Sequence, residues 1–508
     1  NGGLVTENWF DLNASRYTAS STLQRMELLK TGYMGTLSLG WDNYLFLELT
    51  GRQERSSTLK DQSFFYPSAN LSFLFSNAFR MPAWWNHGKL RLSYGVVGNA
   101  PETYAANIIY EQGSDNGFTW NYVPSSWGNA NIRPEKKYEY EIGFESKFLN
   151  NRLGFDVSYY NNRVKDQILS TPQPSTSGVK YVLMNVGEVA NEGWDISVSA
   201  TPVLTKNFRW DLTANYGIYR NKVVKLADGV PYLEISNIGG GGAKIQAVEG
   251  RPMGDIYVQV PQMNENGEYL VSDKGLYMNQ TELQRVGNIN PDGVGGLFSS
   301  FSYKNIFLDF SIDFRIGGDV INEMYQYSTA SGLTPESLQF RDTEHGGLSY
   351  YYPGNNNASG VPVQVDPSLG AGPNGETVYH DGVILPGVVA STGEKNTRII
   401  PAGYYYNQTY NWGTQPEQLT YRHSVFDNSY VKLRELTIGY QFPEKLISKL
   451  GMTRLSVSVF GRNLFYFYKA LKNYDAESSV GTSWASQAVV GGSTTATRNF
   501  GVSLRASF

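Results

Sequence analysis

The sequence predicts an all-β protein: a transmembrane antiparallel barrel with short turns at one end and long excursions at the other. Three observations predict it. Segments of ten or more residues alternate apolar with polar or charged side chains, the pattern of a strand with one apolar and one wet face. Charged residues make up only 17% of the 508 residues, aromatics 14%, and there are 53 glycines, against roughly 25% charged in soluble domains. The links between segments fall into short and long classes, the connection rule of membrane barrels. Length separates the barrel from a soluble sandwich. Soluble strands average about five or six residues, whereas a tilted membrane strand needs roughly 9–11.

About thirteen segments meet this description, at 32–41, 43–54, 66–77, 89–98, 136–149, 152–168, 188–203, 208–222, 295–304, 306–317, 429–443, 453–464 and 497–508. In the fifth, Tyr138, Tyr140, Ile142, Phe144 and Phe148 alternate with Glu139, Glu141, Gly143, Glu145 and Lys147. In the eighth, Phe208, Trp210, Leu212, Ala214, Tyr216 and Ile218 take one face. The tenth alternates Ile306, Leu308, Phe310, Ile312, Phe314 and Ile316 with Asp309, Ser311, Asp313 and Arg315. The last sets Phe500, Val502, Leu504, Ala506 and Phe508 against Gly501, Ser503, Arg505 and Ser507. Aromatics near segment ends suit a membrane-interface girdle, and charged opposite faces suit a water-filled lumen.

Short turns are expected at Asp42-Asn43, 149–152, 204–207 and Lys304-Asn305. Longer links span 78–88 and 443–452, the second with a helix-like run over 444–450. Long excursions fall at 99–135, 223–294, 318–428 and 465–496. An odd number of strands does not close in the even, single-chain manner of bacterial barrels. A further strand near 4–30, or polypeptide beyond this sequence, is expected to complete the wall. The whole of 1–508 reads as barrel, with 318–428 as a long extracellular loop within it.

Composition excludes several functions. With 42 basic and 46 acidic residues, net −4, there is no basic excess to attract nucleic acid. There is no cysteine, hence no disulfide, thiolate metal site or cysteine nucleophile. The four histidines, His87, His345, His380 and His423, are far apart. Nucleotide, hydrolase and metalloprotease motifs are absent, and no catalytic residue is assigned. Gly239-Gly240-Gly241-Gly242 lacks the strand-then-helix context of a phosphate cradle and reads as a flexible loop. Glu139, Glu141 and Glu145 share a strand face, as do Asp309 and Asp313. Neighbouring carboxylates about 7 Å apart could serve glycoside hydrolysis, but a polar lumen wall presents the same pattern, and no enzyme is expected. Aromatics gather in the excursions: Trp120, Tyr122 and Trp127; Tyr350, Tyr351 and Tyr352; Tyr404, Tyr405, Tyr406, Tyr410 and Trp412. They read equally as stacking platforms for a substrate or as self-packing of compact loops.

A set of short motifs then gives the chain a family resemblance. They are Phe64-Phe65-Tyr66-Pro67-Ser68 with Leu71-Ser72-Phe73 and Phe79, and Leu90-Arg91-Leu92-Ser93-Tyr94-Gly95 with Gly98-Asn99. Next come Asn131-Ile132-Arg133-Pro134-Glu135 with Tyr140-Glu141-Ile142-Gly143, and Asn191-Glu192-Gly193-Trp194-Asp195. Gly250-Arg251-Pro252-Met253-Gly254, Gly295-Gly296 and Gly317-Gly318-Asp319 follow. The sharpest runs from Tyr430-Val431-Lys432-Leu433-Arg434-Glu435-Leu436-Thr437-Ile438-Gly439-Tyr440 through Pro443 to Gly461-Arg462-Asn463-Leu464-Phe465. In this order and spacing the sequence resembles the C-terminal barrel half of SusC/RagA-like TonB-dependent transporters of Bacteroidota, whose barrels have 22 strands.

The resemblance implies an outer-membrane importer of oligosaccharides or oligopeptides, with a plug, a TonB box and early strands supplied by polypeptide that this sequence does not include. It implies a SusD-like surface lipoprotein, TonB-ExbB-ExbD coupling to proton-motive force, outer-membrane lipid and the barrel-assembly machinery as partners, and a possible dimer of the transporter–lipoprotein pair. No nucleic acid and no cofactor are implied. Family members often carry an acidic calcium-type turn; here the region reads Asn264-Glu265-Asn266-Gly267, and Asn288, Asn290, Asp292 and Gly293 imitate a calcium loop whose twelfth position is Ser299 rather than Glu. A tight turn is the expected structure there. In the family the extracellular loops enclose a substrate chamber beneath the lipoprotein, so Trp120, Tyr122, Trp127, Tyr351, Tyr405 and Trp412 are its candidate substrate contacts. Phe508, ending an alternating strand, looks like the barrel-assembly signal and reads as the true C-terminus. Two other readings stand beside the importer: a passive porin closed from these strands with one more, and an adhesive or structural surface barrel.

Overall fold

The structure, a computed structural model, describes residues 3–508 apart from 4, 7, 10–13, 15–24, 60–62, 108, 116, 117, 174, 412–420 and 493–495. Thirteen strands form one sheet: β1 Lys30–Trp41, β2 Leu45–Ser56, β3 Ser63–Phe73, β4 Trp85–Asn99, β5 Glu135–Phe148, β6 Leu153–Lys165, β7 Glu188–Leu204, β8 Phe208–Lys225, β9 Gly293–Tyr303, β10 Ile306–Ile316, β11 Tyr430–Gln441, β12 Arg454–Lys469 and β13 Asn499–Ser507. Each pairs antiparallel with its neighbours in chain order. All thirteen expected segments are strands of this wall. Their ends move by a few residues, most at β3, where Phe75–Ala78 makes a helical turn instead of extending the strand.

The register explains why alternation was so clear. Leu39, Leu47, Leu71, Leu92, Ile142, Tyr159 and Trp194 sit side by side across β1 to β7. Val198, Ala214, Leu297, Ile312, Leu433 and Phe465 continue such a row across β7 to β12. Leu92, Ile142 and Trp194 are each 47–49% exposed. An apolar face of this extent is foreign to a water-facing monomer and suits lipid. One residue along, the row reads Glu145, Asp156, Ser197, Asn215, Gly296, Asp313, Lys432 and Tyr466. That face is the polar interior.

The sheet is open. Its terminal strands, β1 and β13, do not pair with each other, and every residue of β1 is exposed. A bare strand edge cannot rest in hydrocarbon, where each unsatisfied backbone group costs several kcal/mol. The region near 4–30, where one more strand was expected, lies largely outside the described residues; 25–29 carry no strand.

The short turns follow their local chemistry. Asp42 and Asn43 take φ of 47° and 57°, and Asn150 and Asn151 take 58° and 62°, the left-handed geometry that matches hairpin twist and suits Asn and Asp. The 443–452 link holds a helix, Glu444–Ile447, continued by a 3-10 turn to Leu450.

At the other end the long excursions build a roof with its own core. The excursion after β8 forms a four-stranded sheet from Tyr232–Ile238, Ala243–Val248, Asp255–Val258 and Gln284–Asn288. The excursion after β10 supplies Asp319–Asn322 and Val425–Asp427, which join Val489–Val490 from the excursion after β12. Leu270–Val271 pairs in parallel with Val388–Val389, tying the first two together. Ile245, Ile256, Val258, Ile321, Tyr421 and Val489 make the shared core.

Candidate functional site

Two surfaces are placed to meet a solute: the polar inner face of the wall and the roof above it. On the inner face the charges are matched in pairs. Arg91 on β4 donates from Nη2 to Asp156 Oδ1 at 2.6 Å, from Nη1 to Glu145 Oε2 at 3.4 Å, and to Ser158 Oγ at 3.2 Å. Asp156, Ser158, Asp195, Ser197 and Asn215 line a cavity of about 330 Å³ beside it. The carboxylates weighed for hydrolysis are held in the same way. Glu139 lies 2.6 Å from Lys137 and accepts from Asn162; Glu145 also lies near His87 and Lys147. Asp309 accepts from Ser300, and Asp313 pairs with Arg434. Much of the inner-face charge is therefore paired, while Asp309 is held by a hydroxyl alone.

A further charge cluster sits in the 430–440 motif, where the sequence marked the residues but not their meeting with Glu477. Lys432 on β11 is 2% exposed. Its ammonium pairs with Glu477 and lies 4.8 Å from the centre of the Tyr466 ring. Arg434 bonds the same Glu477 from Nη1 at 3.0 Å, and bonds Asn463 Oδ1 at 2.8 Å. Lys432 and Arg434 are two apart and so share the inner face of the strand, and the register adds Glu435 to that face. Ser311 pairs with Glu435 and Ile312 with Leu433, so Arg434 has no partner on β10. It is the extra residue of a β-bulge, a device that re-aims a side chain. Burial pushes the Glu477 carboxyl up, but Arg434 and Lys432 outweigh it and hold it below the usual carboxylate range. The excursion after β12 is thereby fastened to the wall.

The roof separates the aromatic candidates. Tyr350, Tyr352, Tyr406 and Tyr410 are buried. Tyr350 donates to Asp381 Oδ1 at 3.0 Å and Tyr406 to the Glu336 carbonyl at 2.8 Å, so these rings hold the roof together. Tyr351 is half-buried. Tyr405 packs 5.0 Å from Tyr406, ring centre to ring centre, and burial pushes its hydroxyl up to about 12. Trp120 and Tyr122 lie elsewhere, on a hairpin of Glu111–Asp115 and Phe118–Tyr122, and are 47% and 43% exposed. Trp127 is half-buried beside Tyr181–Asn185. The six candidates therefore do not form one cluster. Trp412 lies outside the described residues, and Phe508 follows β13 as an exposed residue.

The glycine run is not a loose loop. Gly239–Gly241 forms a 3-10 turn, and the hydroxyl end of the buried Tyr421 packs on Gly239. In the calcium-like segment the polar groups are already engaged. Asn288 donates to Asp255 Oδ1 at 2.9 Å, Asn290 to the Met253 carbonyl at 2.6 Å, and Asp292 pairs with Arg220. Asn264 Oδ1 accepts from the amides of Asn266 and Glu268, closing the turn at Gly267. Among the described residues no cluster of His, Asp and Glu is placed to hold a metal.

Strands of membrane length, a lipid-type outer face, an inner face rich in charge pairs and a structured roof define part of the wall of a large membrane β-barrel. Residues 5–256 match the family model described as TonB dependent receptor-like, beta-barrel. Similar proteins include TonB-dependent receptor P3 of Formosa agariphila, 22% identical over 88% of this chain and 42% of that protein. TonB-dependent receptor SusC of Bacteroides thetaiotaomicron is 27% identical over 44% of this chain and 24% of its own length. The structure of the RagAB peptide transporter superposes with a TM-score of 0.70 at 18% identity, over 99% of this chain and 50% of that one. The chain thus spans half or less of the length of these relatives.

Proposed function

We propose that this chain is the wall, inner face and extracellular roof of a SusC-like TonB-dependent importer in the outer membrane of a Gram-negative bacterium. Further strands complete the barrel between β1 and β13. A plug gates the lumen, TonB-ExbB-ExbD supplies energy from proton-motive force, and no resident cofactor or metal is required. A SusD-like lipoprotein delivers an oligosaccharide or oligopeptide to the extracellular side, where the open rings of Trp120 and Tyr122, on the hairpin after β4, are available for stacking. The chain itself does no covalent chemistry.

The open sheet carries this reading. Thirteen membrane-length strands with two unpaired edges cannot stand alone in lipid, and a 22-stranded barrel of this type has a plugged lumen. The same observation weighs against a porin closed from these strands. The test is a subunit inventory: extraction from outer membranes in mild detergent and peptide mapping of every polypeptide recovered. Plug and early-strand peptides together with a lipoprotein are expected. A lone heat-modifiable 57 kDa species would overturn the importer reading in favour of a self-closed porin.

A further inference from the structure

Where the excursion after β8 meets the one after β10, the roof holds a half-open cavity of about 420 Å³. Its lining includes Lys274 from the first excursion and Tyr352, Asn357, Ser359, Arg398 and Tyr404 from the second. The volume lies within the range of small-ligand sites, about 300–1,000 Å³.

The two cations here differ from the paired ones named on the inner face. Along the inner face, cations such as Arg91, Arg434 and Lys432 have carboxylate partners. Lys274 and Arg398 have none among the described residues; the one hydrogen bond given by Arg398 comes from its backbone amide, to Asn396. The nearby acids are engaged elsewhere: Asp381 accepts from Tyr350, Asp273 from Ser391, and Glu376 from Asn374 and Gly354. Arg398 is also held in place. Its Cδ and Cγ lie against Gly275, where an added Cβ would stand 3.3 Å from Cδ and 2.8 Å from Ile400. Below it Tyr352 is fixed by edge contacts with Tyr350 and Tyr379 at 5.6 and 6.1 Å. The result is a preformed pocket lined by the half-buried Arg398, the exposed Lys274, phenol rings and small polar groups.

We propose that this cavity binds a carboxylate ligand, its anionic group between Lys274 and Arg398 and its flat body along Tyr352 and Tyr404. A guanidinium takes a carboxylate in a two-pronged bond, and Arg398 is half-buried where it would do so. The proposal deepens the importer reading and rests on it, since it gives the roof a preference for acidic cargo. A uronic-acid sugar and a peptide C-terminus present the same group.

The test is calorimetric binding to the complete transporter complex in detergent. The probes are trigalacturonate against neutral galactotriose, and trialanine against trialanine amide. A carboxylate probe is expected to bind more tightly than its neutral partner. The double variant Arg398→Gln, Lys274→Gln is expected to weaken the carboxylate probe about tenfold or more, the scale of one charged hydrogen bond, and leave the neutral probe unchanged. Arg398→Lys should restore part of the loss. The probe that responds identifies the source of the carboxylate. Absence of binding by both carboxylate probes, or equal binding by the double variant, overturns the proposal. If the double variant does not fold, as judged by heat-modifiable migration, salt dependence of the wild-type affinity decides. It must fall with salt for the carboxylate probe alone, and a flat profile overturns the site. The importer reading is tested separately by the subunit inventory, so either can fail while the other stands.

Discussion

Glu477 shows how a single residue can hold a long excursion in place. It receives Lys432 and Arg434 at once. Removing one partner of a buried charge pair costs roughly 3–5 kcal/mol; Glu477 is itself 27% exposed at the side chain, so the lower end applies. Glu477→Ala should release the excursion after β12, read as new protease cleavage within 470–498 with the barrel still folded. The pH dependence has a definite sign. The Glu477 carboxyl is held below its ordinary value, so its stabilisation is complete above the ordinary carboxylate pKa of about 4.3 and lost as pH falls through the lowered one. Protection should be flat from pH 7 to about pH 5 and vanish only in stronger acid. Two motif glycines make a second residue-scale case. A Cβ on Gly193 would lie 2.5 Å from the Ile218 carbonyl, and one on Gly295 would lie 2.5 Å from the Phe314 ring. Gly193→Ala and Gly295→Ala should each cost about 1–3 kcal/mol, seen as a lower temperature of heat-modifiable unfolding.

At the scale of the strand, the wall was legible because a strand between lipid and water has only two environments, and period two records them directly. Ile142 and Glu141 on β5 state the whole case in adjacent letters. A substitution series follows from it. Ile142→Lys places a charge on the lipid face and should destabilise by about 2–4 kcal/mol if near mid-membrane. Ser197→Lys, on the inner face beside Asp156, should leave stability nearly unchanged, both variants being compared by urea titration. The bulge at Arg434 was not legible. The letters Arg434-Glu435 break the alternation, but the break alone does not say which residue lacks a partner; the register with β10 does. The roof was hidden for a related reason. Its strands are two to seven residues long, and pairings such as Leu270 with Val388 join separate excursions. The aromatic clusters were visible as letters, yet burial alone separates Tyr350 and Tyr406, which hold the roof, from Trp120 and Tyr122, which face solvent. Lys274 and Arg398 carried no local signal because their meeting depends on two excursions converging.

At the scale of the molecule, the two bare edges govern the account. The wall has a lipid face, a polar interior and a packed roof, and the outer edges of β1 and β13 do not pair with each other. As part of a completed and plugged barrel, the complex should be electrically silent. The most direct measurement is single-channel conductance of the purified complex in a planar bilayer, before and after urea is applied on the short-turn side. A closed trace that opens reversibly as urea loosens a plug is the predicted result. A steady open conductance without urea, from this chain alone, would contradict the account and show a self-closed pore.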